Sequence, residues 1–151
     1  LKKMTDKTID HVLRATWQAV AKSYNEEATN YGATMAVAFT LLNIDKEGTA
    51  STALGPKMGM EATSLSRTLK NMEEKGLIFR KKNPKDGRSV LIFLTDYGIE
   101  MRNISKEKVY SFNETINKNI SPEKIANFHE VSNTIVDLIQ QRKIFNKKQT
   151  S

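Results

Sequence analysis

With 151 residues, 38% of them hydrophobic and 27% charged, the chain is long enough for one domain with a real core and too short to divide comfortably into two. Only three prolines and seven glycines set it among folded proteins, and the absence of cysteine excludes a disulfide framework, thiolate metal sites, thiol catalysis and cysteine-based peroxide sensing. The net charge of +7 is uneven: residues 67–88 hold eight basic groups against three acids, whereas residues 1–66 sum to zero. A localised cationic stretch is the electrostatic footprint of a nucleic-acid binder, and equally that of a solvated basic face. The start, LKKMTDKTIDHVLRATWQAV, scatters charges where a signal peptide needs an unbroken apolar segment. No stretch approaches the roughly 18 apolar residues of a membrane span. A cytoplasmic protein with no membrane partner is expected.

In chain order, Ile9, Val12, Leu13, Trp17, Val20, Tyr24, Ala28 and Tyr31 follow the three-and-four spacing of a long amphipathic helix over 7–31, ended by Gly32. A shorter helix over 34–43 is apolar nearly all round and therefore buried. After a turn at Lys46-Glu47-Gly48 come two helical segments, 51–58 and 62–75, separated by Gly59-Met60-Glu61, the pattern of a helix-turn-helix. Pro56 lies inside the first of these and predicts that it is short, kinked or late to start. Gly76 caps the second; 77–82 reads as a strand, NPKDGR as a hairpin turn and SVLIFL as the returning strand. Thr95-Asp96 opens a helix over 96–118, and Ser121-Pro122-Glu123 opens a last one reaching Arg142. The tail KIFNKKQTS is expected to fray. The fold class is mainly α with a small β-hairpin: a winged helix-turn-helix over about 46–95, flanked by helical regions over about 5–45 and 96–145.

The helix over 62–75 turns Leu65, Leu69 and Met72 inward, so Thr63, Ser64, Arg67, Lys70 and Asn71 face out, with Ser66 at the border. That set suits a reader of the major groove: Arg pairs bidentately with guanine, Ser and Thr reach base edges or phosphates, and Lys neutralises phosphate. An ordinary polar helix face is the competing reading. Five basic side chains surround the hairpin turn: Arg80, Lys81, Lys82, Lys85 and Arg88. Asp86 can hold the turn and steer the Arg88 guanidinium into a minor groove while Lys82 and Lys85 meet phosphates. Either Val90, Ile92 and Leu94 or the alternate set Leu91 and Phe93 anchors the return strand.

SLSRTLKNMEEKGLI (64–78), RKKNPKDGR (80–88) and LTDYG (94–98) together resemble the MarR-type winged-helix transcriptional regulators. The motifs cover about a third of the chain, and the order of elements fits nearly all of it. The resemblance implies a homodimer, formed by the first and last helices, that represses transcription by binding pseudo-palindromic double-stranded DNA; Arg88 and Asp86 match the family's wing pair. Ala33 and Val37 depart from the family's Leu and polar residue. Gly55-Pro56 replaces its Leu-Ala, which bears on the geometry of that helix.

The resemblance also implies a small aromatic or lipophilic effector, for which Trp17, Tyr24, Met35, Phe39 and Met101 are pocket candidates; ordinary core packing accounts for the same residues. His11 and His129 have no partners at metal-ligand spacing, so neither a metal site nor a cofactor is expected. GPKMGMEATS lacks the Gly-Lys-Ser/Thr ending of a phosphate loop, and no nucleophile elbow or His-Glu pair is present, so no enzyme is expected. A sequence-indifferent architectural DNA binder and a winged-helix protein-interaction module are the alternatives.

Overall fold

A computed structural model describes residues 7–145. The expected fraying of the tail falls mostly on 146–151, outside the described residues. The elements are α1 (Ile9–Thr29), α2 (Met35–Leu42), β1 (Thr49–Ala50), α3 (Ser51–Met58), α4 (Ala62–Glu74), β2 (Ile78–Asn83), β3 (Asp86–Leu94), α5 (Asp96–Asn119) and α6 (Pro122–Gln140). They gather into two compact units, Leu1–Glu107 and Lys108–Ser151, with the boundary inside α5.

The core of the first unit is drawn from every element around the helix-turn-helix. Val37 and Leu41 come from α2, Leu54 from α3, and Leu65, Leu69 and Met72 from α4; Leu77, Ile78, Ile92 and Leu94 come from the hairpin and Met101 from α5. All are at most 8% exposed. Val37, one of the departures from the family pattern, is simply core, and Ala33 packs half-buried against it. The three strands form one antiparallel sheet in the order β1-β3-β2. β1 escaped the sequence reading because two residues carry no alternation; Thr49 and Ala50 pair with Ile92 and Leu91. Of the two candidate anchoring sets, Ile92 and Leu94 face the core, with Val90 beside them, while Phe93 stacks on Phe79 on the opposite face at 5.4 Å.

Pro56 leaves α3 short, at eight residues, but the helix starts at Ser51 as its pattern indicated. Gly59, at φ +63°, ends it in the left-handed conformation open to glycine. Gly55 answers the question raised by its departure from the family: a Cβ there would sit 3.2 Å from the Met60 carbonyl oxygen, so glycine suits the returning turn.

The end of α4 is a Schellman motif. Gly76, at φ +71°, donates its N–H to the Glu73 carbonyl at 3.0 Å, and Leu77 donates to the Met72 carbonyl at 2.9 Å; the side chains of Leu77 and Met72 are both buried. The Leu77 carbonyl then accepts from the Thr95 N–H at 3.1 Å, and the Thr95 hydroxyl donates to the Gly76 carbonyl at 2.5 Å while accepting from the Gly98 N–H at 3.0 Å. One threonine thereby caps α5 and joins it to the end of α4.

In the second unit, Ser121 accepts from the Lys124 N–H at 3.3 Å and caps α6, whose first residue is Pro122, in the order the sequence indicated. Neither α1 nor α6 buries a single residue fully. Ile9, Val12, Leu13 and Trp17 are 43–63% exposed along α1, and Phe128, Val131, Val136 and Ile139 are 49–59% exposed along α6.

The junction at Gly98 generates a stability prediction. A Cβ at this buried position would lie 2.0 Å from the Leu77 carbonyl oxygen, a backbone atom already engaged by Thr95. Gly98→Ala is expected to destabilise the fold by about 2–3 kcal/mol through overpacking. Chemical unfolding at equilibrium checks this, and an unchanged midpoint and slope would contradict it.

Candidate nucleic-acid interface

Helix α4 buries Leu65, Leu69 and Met72 and exposes Thr63, Ser64, Ser66, Arg67, Lys70 and Asn71, so all six sequence-selected residues lie on accessible positions of one helix. Its position is fixed from beneath by the core and at its C-terminal end by the Schellman turn. Thr68 is half-buried and donates its hydroxyl back to the Ser64 carbonyl at 3.1 Å, which leaves the outward set to the other polar residues.

The wing turns through the two residues Pro84 and Lys85, between the paired Asn83 and Asp86. Asn83 Oδ1 accepts from the Lys85 N–H at 3.0 Å, and its Nδ2 donates to Ser89 Oγ at 3.0 Å. Asp86 Oδ1 accepts from the Arg88 N–H at 3.0 Å. The anticipated Asp86–guanidinium contact is therefore replaced by one to the backbone: Asp86 shapes the turn from which Arg88 projects. Between the pairs Lys82–Val90 and Asn83–Asp86, β3 carries three extra residues, 87–89, and this irregularity holds Arg88 outside the regular ladder.

The five basic residues of the hairpin divide by strand alternation. Arg80 pairs with Ile92 in register and shares its face, and its Nε donates to Glu73 Oε2 of α4 at 2.6 Å. Lys81 lies on the other face, its ammonium 5.4 Å and 5.6 Å from the ring centroids of Phe79 and Phe93. Lys82, Lys85 and Arg88 remain exposed toward the tip with Asp86. The roles of Glu73, Arg80 and Lys81 were missed in the sequence, although the two-residue spacing of Arg80 from Ile78 was the available signal.

The five pocket candidates do not form one site. Trp17 is 54% exposed on α1. Tyr24 packs edge-to-face on Phe39 at 5.3 Å, and burial raises the pKa of its hydroxyl. Met35, half-buried, opens α2, its N–H bound to Asn25 Oδ1 at 2.9 Å. Of the five, Met101 alone reaches a cavity of about 190 Å³ whose lining includes Tyr31, Val37, Lys75, Leu77 and Tyr97. The Lys75 ammonium donates to the Gly32 carbonyl at 3.4 Å. Among the described residues no group of three His, Asp or Glu side chains could hold a metal ion, and no helix is long and apolar enough to cross a membrane.

Residues 34–90, from the start of α2 into β3, match the MarR family. The organic hydroperoxide resistance transcriptional regulator of Bacillus subtilis is 40% identical over 63 residues, which make up 42% of this chain and 40% of that protein. The chain spans 36–40% of the length of the first curated relatives it matches. The S. aureus MepR–DNA complex superposes with a TM-score of 0.80 at 18% identity, covering 87% of this chain and 98% of that one. A mutant MarR from E. coli, complexed with operator DNA, gives 0.76 at 20% identity, covering 89% and 99%. At such identities the structural likeness is one of fold, and it runs along most of the chain. The chain thus matches the MarR family in sequence from α2 into β3, and shares the winged helix-turn-helix fold of these solved structures.

Proposed function

We propose that the protein is a sequence-specific DNA-binding transcriptional regulator, a homodimeric repressor of a pseudo-palindromic operator. The observation that carries the reading is the pairing of α4, with a hydroxyl- and base-rich face outward, with a wing whose exposed tip is cationic, both built on one buried core. The relatives found with DNA in their crystals share this fold. In this reading α4 enters the major groove, which admits one helix. Arg67 pairs with a guanine edge, Thr63, Ser64, Ser66 and Asn71 serve bases or phosphates, and Lys70 neutralises phosphate. The wing follows the backbone with Lys82 and Lys85 and sets Arg88 in the adjacent minor groove, its turn held by Asp86.

Dimerisation is supported by the exposed apolar rows of α1 and α6, each more than a solvated helix requires. Two copies related by a two-fold axis would present their α4 helices roughly 34 Å apart, matching successive major grooves on one face of DNA. A small aromatic or lipophilic effector is the proposed release signal, and the cavity at Met101, with apolar walls and the Lys75 ammonium, is the space suited to it.

Two substitutions separate base reading from plain charge. Arg67→Ala should weaken binding to the preferred duplex by about 1–3 kcal/mol and leave binding to random DNA nearly unchanged. Fluorescence anisotropy on both duplexes measures it; equal losses would reject Arg67 as a base reader. Arg88→Ala should cost most where the flanks are A·T-rich, because a narrow minor groove concentrates negative potential. Flank-independent losses in a titration series of flanks would rule out the minor-groove role.

A further inference from the structure

Glu73 is misplaced for a helix that approaches polyphosphate. It follows Ser66 and Lys70 at spacings of four and three, so it continues their stripe of α4 toward the C-terminal end. A bare carboxylate there would repel the DNA backbone. It is not bare: Arg80 Nε on β2 lies 2.6 Å from Glu73 Oε2, the two side chains being 38% and 48% exposed. Arg80 cannot at once turn outward as a further wing cation, because it occupies the sheet face that carries Ile78 and Ile92 against the helices.

We infer that Glu73 and Arg80 are a pair of positioning residues that set the angle between the recognition helix and the wing, and that neither contacts DNA. The inference rests on the DNA-binding reading above. Among the described residues the two elements are otherwise joined through the Schellman turn at Gly76-Leu77 and through the core, which the hairpin enters with Ile78 at its base and with Ile92 across from Arg80. The ion pair is a tie on their solvent side, two residues up β2 from the first core residue, Ile78. The core and β1 hold β3 from within, and the ion pair adds a direct link from the surface of α4 to β2 that fixes the angle between helix and wing. The wing's cations and the outward face of α4 then meet their two grooves together, and the coupling between these two subsites depends on the pair.

The sign of one substitution decides the matter. Glu73→Gln removes a negative charge from the approaching face, so simple electrostatics makes DNA binding tighter; loss of positioning makes it weaker. On the duplex selected by the parent protein, Glu73→Gln and Arg80→Gln should each weaken binding about three- to five-fold, the range open to a half-exposed ion pair. Each should also leave the dependence of binding on salt concentration unchanged and reduce the penalty that a mismatched flank adds to a mismatched core. The charge-reversed pair Glu73→Arg with Arg80→Glu should recover most of the loss, with thermal unfolding confirming that all variants are folded. Tighter or unaltered binding by Glu73→Gln would overturn the inference. So would a salt slope lowered by about one in Arg80→Gln, which marks a lost phosphate contact. If the parent chain binds no duplex at all, the DNA-binding reading falls and takes this inference with it, an outcome distinct from a parent that binds and variants that bind as well.

Discussion

The close approach of the first turn of α5 to the Leu77 carbonyl is the constraint on which the first unit depends. Gly98 permits it by having no side chain, and Thr95 fixes it with three hydrogen bonds, one from its N–H and two through its hydroxyl. Leu77 is also the residue that closes the Schellman turn of α4 and leads into β2. The end of α4, both strands of the wing and the start of α5 thus meet within a few residues. Displacing any one of them leaves a buried carbonyl or amide without its partner, which costs more than the bond itself contributes.

Built outward from that junction, the wing sorts its charges by strand alternation rather than presenting them all. Ile78, Arg80 and Lys82 share one face and Phe79 and Lys81 the other, so a run that reads as uniformly basic has separate destinations. Arg80 turns to Glu73, Lys81 covers an aromatic pair, and Lys82, Lys85 and Arg88 remain for the tip. Counting the net charge of the segment overstates what is available to a polyanion. The geometry of the turn, set by Asn83 and Asp86 acting on backbone amides, determines where the remaining cations project.

Elements with strong local signals were legible in the sequence: α4 with its apolar triad and Gly76, α6 with Ser121-Pro122, and a hairpin within NPKDGR, although its turn falls on Pro84-Lys85 and its Asp-Gly lies in β3. Three features were not. β1 is too short to show alternation, and exists only because β3 offers it an edge. The choice between the two apolar sets of β3 needed the sheet's facing, since both alternate with the same period. The pocket candidates were chosen for residue type at helical spacing, and folding scatters them: Trp17 is exposed, Tyr24 and Phe39 pair with each other, and the cavity forms instead around Lys75 and Tyr97, whose meeting depends on the Leu77 junction. The Asp86–Arg88 pairing was legible as a pair but not as a backbone contact, because spacing says which residues can meet and not through which atoms.

The central claim is that two copies of α4 and its wing read DNA sequence in a fixed register. Its most direct test is selection from a pool of random duplexes by the purified protein at two salt concentrations, followed by sequencing. The account predicts enrichment of an inverted repeat with half-sites about one helical turn apart, persisting at the higher salt. Salt-sensitive retention with no enriched sequence, or no retention at all, would contradict it.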